Sequence, residues 1–235
     1  MKKNLFLLLF LFFLPIHVAA LSLKISSGFD APETYLIESV LREGFKRANI
    51  DLVFQTLPNQ RSLLNANKGI SDGEASRIWK INEYYPNLIR VPVSTHSIDL
   101  VVLSKEKIDV KDFSQLKKYN VGVVRGMKIA EKLVQESKPR SYIAATNNLT
   151  LIKMLENNRI DVIVSSKIGL LVSLKESKSK DLYMIERPLL SLPLYMHLHK
   201  KHQELIPRFE KAFKSMIEDG TYQRARNSFI GSFND

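Results

Sequence analysis

Short apolar runs alternate with longer amphipathic segments along most of the chain, and the alternation begins at residue 21. Residues 23–26 have the length and the apolar content of a strand. Residues 33–48 instead place apolar side chains three and four positions apart, which predicts an amphipathic helix with one buried face. That face comprises Leu36, Val40, Leu41 and Phe45. Strands that alternate with helices are typical of an α/β fold with mostly parallel strands.

The same alternation continues to the end of the chain. Further strands are predicted at 51–55, 73–76, 97–104, 121–124, 141–144, 161–164, 182–186 and 192–198. Further helices are predicted at 59–67, 128–135, 149–157, 167–174 and 203–229, the last with Gly220 as a stop signal. The runs 97–104 and 192–198 are similar in length and character. We therefore predict that they are paired crossings between two lobes.

The first twenty residues have the pattern of a secretory signal peptide. Lys2 and Lys3 precede an apolar run at 5–14, and the small residues 18–20 follow. About ten apolar residues are too few to span a bilayer, which takes about twenty. We expect cleavage after Ala20 and export to the periplasm, because no later segment reaches membrane-spanning length.

Composition narrows the possible functions. The chain has no cysteine, which excludes disulfides, thiol nucleophiles, cysteine metal sites and a lipid-bearing cysteine. Loss of the predicted signal peptide removes two lysines and no acids, so the formal net charge falls from +11 to +9. Because the basic residues are scattered among acids rather than gathered into a stripe, we expect no binding to nucleic acid.

Four stretches resemble, in order, those of family 3 of the bacterial extracellular solute-binding proteins. They are Leu116-Lys-Lys-Tyr-Asn-Val-Gly-Val-Val-Arg-Gly126, residues 154–164, residues 194–200 and residues 216–222. The resemblance implies two α/β lobes joined by two crossing strands. The first lobe would comprise residues 21–96 and 199–235, and the second residues 97–198, with hinges near 97–104 and 192–198.

A protein of this type binds in the cleft between its lobes, where strand ends and helix N-termini meet a polar guest. In the second lobe, the predicted strand 121–124 leads through Arg125, Gly126 and Met127 into a helix. This turn is a candidate site for a carboxylate or a phosphate, with the Gly126 backbone as donor. The alternative for Arg125 is a solvated surface position. Asn147 is a candidate for a polar contact.

In the first lobe, Arg77 and Glu74 lie beside a strand end and are candidate ligand contacts. Arg77 resembles, in role, the arginine by which amino-acid-binding relatives hold the ligand carboxylate, although their threonine-rich lead-in is missing here. The alternative is an ion pair between Arg77 and Glu74. Phe29 is a candidate apolar wall or a core residue, and Arg61 a cleft contact or a surface residue.

Ser165 marks a departure from the relatives that bind amino acids. Those relatives commonly carry an acid four residues after the position matched by Asp161, where it meets the ligand ammonium. Ser165 is therefore expected to make a polar contact, and the resemblance does not extend to recognition of an α-amino group.

The sequence thus predicts a monomeric periplasmic solute-binding protein, not an enzyme, without cofactor or metal. It would close around a small polar molecule that bears a carboxylate, amino-acid-like or an organic acid, for an ABC transporter permease. A sensor module for a membrane signalling partner is the alternative. A further alternative is a dehydratase or lyase with Glu74 as general acid or base. Another is a metal site whose ligands would be His197, His199 and His202.

Overall fold

Nine strands form one mixed sheet with helices on both faces, in the computed structural model of residues 21–29 and 31–233. The strands are β1 Ser22–Ser27, β2 Asp51–Thr56, β3 Gly73–Arg77, β4 Leu88–Ser104, β5 Asn120–Val124, β6 Ser141–Ala145, β7 Val162–Ser166, β8 Tyr183–Met184 and β9 Leu190–His199. The α-helices are α1 Glu33–Arg47, α2 Asn59–Asn67, α3 Lys128–Glu136, α4 Asn148–Glu156, α5 Lys167–Ser177, α6 Ile206–Glu218 and α7 Thr221–Gly231. The predicted signal peptide lies outside the described residues.

The order of the strands is β2-β1-β3-β9-β4-β7-β5-β6, with β8 paired to β4. Parallel pairing joins β1 to β2 and β3, and it joins β5 to β6 and β7. The pairs β3–β9, β9–β4 and β4–β7 are antiparallel. The sheet therefore contains two parallel groups connected through the long strands β4 and β9.

The sheet narrows to a two-stranded ribbon between these groups. Strand β3 pairs with β9 as far as Tyr195, and β7 pairs with β4 from Leu100 onward. Between these points β4 and β9 pair with each other, with Asp99 opposite Ser191. We call the side with β1, β2 and β3 the first lobe, the side with β5, β6 and β7 the second lobe, and the segments 96–99 and 191–194 the ribbon. The predicted two-lobed α/β fold is confirmed.

Each lobe has its own apolar core. In the first lobe, α1 and α6 pack on the sheet, the predicted apolar face of α1 is buried, and the rings of Phe45 and Phe209 lie 4.6 Å apart. In the second lobe, side chains of β4 alternate between the two faces: Val102 packs with the cluster around α3, and Leu103 packs with the cluster around α4. Burying each such side chain contributes about 1.5–3 kcal/mol to folding.

The structure differs from the predicted elements mainly at β4. The strand begins at Leu88, nine residues before the predicted start, and its pairing with β9 shifts register between Arg90 and Ser94. Pro92 lies exposed within this irregular stretch, where its missing N–H costs no ladder hydrogen bond. The proline and the mixed polarity hide the strand from its sequence pattern.

Two other elements differ in extent. Strand β8 is two residues long, shorter than the predicted 182–186. The predicted helix 203–229 is divided into α6 and α7 at Gly220, whose φ of 76° suits glycine, and this confirms the stop signal. No helix among the described residues has both the length and the apolar character needed to cross a membrane.

Candidate ligand-binding cleft

The strand directions place two sets of carboxyl ends opposite each other. Because β3 and β4 are both antiparallel to β9, strands β1, β2 and β3 run in the same direction as β4, which leads into the second lobe. Strand β7 is antiparallel to β4, so β5, β6 and β7 run back toward the first lobe. The carboxyl ends of both parallel groups therefore face the border between the lobes, which we call the cleft.

Five helices begin at these carboxyl ends. Helices α1 and α2 follow β1 and β2, and helices α3, α4 and α5 follow β5, β6 and β7. A helix N-terminus carries partial positive charge and free N–H groups, so it favours an anion. The cleft is thus suited to a ligand with a negative group.

Arg77 is the last residue of β3 and lies at this edge. Its side chain is largely buried, and Nη2 lies 2.7 Å from the carboxylate of Glu74. The same nitrogen donates to the carbonyl oxygen of Asn59, the first residue of α2, at 3.3 Å. Its Nε is buried and has no hydrogen-bond partner among the described residues. The ion pair considered from the sequence is present, and it leaves part of the guanidinium free.

Glu74 lies beneath Arg77 and is fully buried. Its Oε2 accepts hydrogen bonds from the hydroxyls of Ser26, at 3.2 Å, and Ser62. Burial raises the pKa of Glu74, and the positive charge of Arg77 and the serine hydroxyls act against that rise. These neighbours enclose the carboxylate, so its contribution is to orient Arg77.

Gly28 allows the guanidinium to reach this position. A Cβ on residue 28 would overlap the guanidinium of Arg77 and lie 2.7 Å from the Cα of Asn59. Any other residue would therefore displace Arg77 or the start of α2. Gly28 does not stand out in the sequence, because the close approach joins residues that are far apart in the chain.

Phe29 follows Gly28 and packs against both Arg77 and the ribbon. Its ring centroid lies 5.9 Å from Cζ of Arg77 and 5.9 Å from the ring of His96, which it meets edge-on. His96 is buried, with Nε2 3.4 Å from the carboxylate of Glu33 in the first turn of α1. Sequence reasoning missed His96 and Glu33, since residue 96 preceded the predicted strand and neither residue belongs to a motif.

The predicted turn in the second lobe uses its donors internally. Gly126 adopts a φ of 89°, and its N–H donates to the carboxylate of Glu131 at 3.0 Å. The exposed Arg125 donates to the carbonyl of Ala144 at 3.1 Å, and Met127 is half-buried at the N-cap of α3. Gly126 would therefore have to exchange a bond to Glu131 for one to a ligand.

Two other predicted contacts differ in their availability. Asn147 caps α4, because its side chain accepts a hydrogen bond from the Thr150 N–H at 2.9 Å. Ser165 is fully buried near the end of β7, and its Oγ has no partner among the described residues. Ser76 and Thr95, which the sequence analysis did not select, also have buried hydroxyls without such a partner. Buried polar atoms are normally satisfied, so these hydroxyls are candidates for contact with a ligand or water.

The structure brings Phe29, Glu74 and Arg77 into one cluster. Arg61 is exposed in the first turn of α2. The predicted contacts of the second lobe lie at the facing edge, and no hydrogen bond or ion pair between described residues joins them to the first-lobe cluster.

The three histidines near the end of β9 separate into different environments. His202 lies 2.8 Å from the carboxylate of Asp72, and the half-buried His199 accepts a hydrogen bond from the Lys201 N–H at 3.2 Å. His197 is fully buried. Among the described residues, no group of three or more histidine or acidic side chains is arranged to hold a metal ion.

His197 is expected to make the protein less stable at acidic pH. Its pKa is lowered to about 4, chiefly by burial and also by the charges of Arg90 and Arg77, against the hydrogen bond to the Tyr195 carbonyl. The unfolded chain takes up this proton near pH 6.5, so stability falls as the pH falls from about 6.5 to about 4. The difference between the two pKa values corresponds to about 3 kcal/mol in the free energy of unfolding.

Urea denaturation at both ends of this pH range measures the effect. His197→Asn, which keeps a donor for the Tyr195 carbonyl, should lose about 3 kcal/mol of the pH dependence. His199→Asn, on the same strand, is the matched control and should lose much less. Equal pH dependence in wild type and His197→Asn would contradict the assignment.

A comparison of sequences identifies a distant relative of this chain. No protein-family model matches the chain. An uncharacterised protein from Shewanella oneidensis is 26% identical over 188 residues, which cover 77% of this chain and 71% of the relative.

Solved structures share the fold at low sequence identity. A Bacillus subtilis protein described as a "probable amino-acid ABC transporter extracellular-binding protein" has a TM-score of 0.73 at 18% identity, over 90% of this chain and 99% of that one. The unliganded, open L-cystine solute receptor of Neisseria gonorrhoeae has a TM-score of 0.73 at 13% identity, over 89% and 93% of the two chains. A histidine kinase sensor domain similar to periplasmic binding proteins has a TM-score of 0.65 at 12% identity, over 90% and 97%. The chain therefore has the two-lobed fold of these binding proteins.

Proposed function

We propose that the protein is a periplasmic solute-binding protein that captures a small carboxylate-bearing molecule between its lobes and delivers it to an ABC transporter in the membrane. The observation that carries the proposal is Arg77, a buried arginine at the cleft edge that is held by Glu74 and keeps an unpartnered Nε. Arginine donors match the geometry of a carboxylate.

The ligand would complete the hydrogen bonding of Arg77. Glu74 and the Asn59 carbonyl fix one side of the guanidinium, so it is already oriented before a ligand arrives. A carboxylate at the end of β3 would accept the free Nε–H. Such preorganisation lowers the entropic cost of binding.

The second lobe would contribute when the lobes close. The unpartnered Ser165 hydroxyl and the N-termini of α3, α4 and α5 lie at the facing edge. Contacts made by both lobes favour the closed state over the open one, and we assign the hinge to the ribbon. Ser165 carries no charge, so an α-ammonium has no fixed acidic partner at this position. The ligand group that the site recognises is therefore the carboxylate.

Sensing is the second candidate, and the likeness to a histidine kinase sensor domain favours it. Both functions use the same capture step and differ in the membrane protein that contacts the closed form. An enzyme with Glu74 as general acid or base is less well supported, because Ser26, Ser62 and Arg77 enclose that carboxylate. We further propose that the exported chain is a monomer.

The test is a thermal-shift screen of the monomeric protein without its predicted signal peptide. The ligands are organic acids and amino acids, each paired with the alcohol or amide that lacks the carboxylate. A carboxylate at a hundred times its Kd should add about 2.7 kcal/mol of stability, and its paired compound should add none. No shift with any carboxylate, in folded protein shown to be free of bound ligand, would contradict the proposal.

A further inference from the structure

Trp79 is an exposed aromatic side chain that is held firmly at the cleft edge. Its side chain is 47% exposed. Cζ of Arg90 lies 3.0 Å from the centre of the indole, and Nη1 of Arg90 donates to the Trp79 carbonyl at 2.9 Å. The ring of Tyr195 meets the indole at 5.1 Å and a near-perpendicular 79°. One face of the indole is therefore covered, and the opposite face is available for contact.

This indole lies next to the proposed carboxylate site. Arg77 pairs with Tyr195 in the sheet, and Trp79 follows Arg77 by two residues. Trp79 lies in the turn after β3, and two residues of chain span at most about 7 Å, which is close to the length of a phenyl ring with one attached carbon. A ligand whose carboxylate meets Arg77 can thus place an adjoining group on the indole.

The charges around the indole determine which group fits there. An aromatic face attracts cations, but here the guanidinium of Arg90 already occupies one face of the indole. A cationic group on the open face would be repelled by Arg90. An uncharged aromatic ring meets no such repulsion, and it gains from stacking on the indole.

We infer that the ligand is an aromatic carboxylate, with its carboxylate on Arg77 and its ring on the open face of Trp79. This inference rests on the proposed function and specifies the ligand class of the same site. It makes Trp79 the residue that selects for an aromatic group, with Arg90 and Tyr195 as the side chains that position it.

The experiment compares three compounds that separate the ring from the carboxylate. They are 3-phenylpropanoate, propanoate and 3-phenylpropan-1-ol. By calorimetry, 3-phenylpropanoate should bind about tenfold more tightly than propanoate, as expected for one aromatic contact. The alcohol should bind more weakly than 3-phenylpropanoate by a similar factor or more. Trp79 is the only tryptophan of the chain, so ring binding should also change the intrinsic tryptophan fluorescence.

Variants then assign the effect to the indole. Trp79→Leu should remove the tenfold preference and change propanoate binding by less than about twofold, whereas Trp79→Phe should keep most of it. Tyr84→Leu is the matched control, because Tyr84 is a 75% exposed aromatic residue of the same lobe. Circular dichroism melts check that each variant is folded.

The outcomes separate this inference from the proposed function. Equal affinity for 3-phenylpropanoate and propanoate, with both lost in Arg77→Met, would overturn the aromatic inference and leave a carboxylate receptor. Undiminished binding of the alcohol would also overturn the inference, since the ring would then bind without Arg77. Retention of the preference in Trp79→Leu would assign it to another side chain. Binding of none of the three compounds would count against the aromatic inference, while a positive result for other carboxylates in the screen would keep the proposed function.

Discussion

Replacing Arg77 with methionine should weaken carboxylate binding by about 100-fold or more and lower the free energy of unfolding by about 3–5 kcal/mol. The loss of binding follows from removing the charged donor at the cleft edge. The loss of stability follows from Glu74, which would remain buried without its positive partner, 2.7 Å away in the wild type. Calorimetric titration with a ligand from the screen and urea denaturation measure the two effects.

A double variant separates folding from binding in this prediction. Adding Glu74→Gln to Arg77→Met removes the buried charge, so the double variant should regain most of the stability and none of the affinity. Recovery of binding in the double variant would contradict the assignment of Arg77 as the carboxylate donor.

The pH dependence gives an independent check on Glu74. Its pKa is raised in the folded protein, so its contribution to stability is largest at acidic pH and is lost as the pH rises above the unfolded value of 4.5. In Arg77→Met the carboxyl loses the charge that lowers its pKa. The defect of this variant should therefore shrink as the pH falls toward 4.5, and a defect independent of pH would contradict this account.

The sequence was sufficient for the architecture because the periodic signal is local. Strands β1, β2 and β5 lie within one or two residues of their predicted bounds, and the predicted face of α1 is buried. The first half of β4 was missed, where Pro92 and a register shift interrupt the alternation. Once the strand order is known, the directions of the strands alone locate the cleft.

The site was harder to predict because its residues meet through long-range packing. Arg77 and Glu74 were selected from one short segment, and they do pair. The role of Gly28 becomes visible only when β3 and α2 are placed beside it, and that of His96 only when Phe29 and α1 are placed beside β4. The Asn147 cap is a different case, since an asparagine three residues before Thr150 at a helix start is a local capping pattern that could have been read as structural.

The C-terminal helix is tied to both lobes and to the ribbon. Arg47 of α1 lies 2.7 Å from Asp219, which precedes α7, and donates to Thr221 at 3.0 Å. Lys175 of α5 donates to the Ser232 carbonyl at 2.9 Å, just after α7. Within the helix, Arg226 reaches the ribbon. The helix therefore spans the segment about which the lobes are proposed to move.

Loss of Arg226 should cost about 3 kcal/mol of stability, because it would leave the Asp99 carboxylate without a cation in a largely buried position. Arg226 pairs with Asp99 and donates to Ser97 at 2.6 Å, and Asp99 also accepts from Ser191 at 2.5 Å, so the ion pair joins α7 to both strands of the ribbon. Urea denaturation of Arg226→Met measures the cost. Arg224→Met removes the same charge from the exposed side of α7 and should change stability by about 0.5 kcal/mol or less. Adding Asp99→Asn to Arg226→Met should restore most of the lost stability, since the amide keeps an oxygen for Ser191 without a charge. Equal effects of the Arg224 and Arg226 variants on stability would contradict the role assigned to the buried pair.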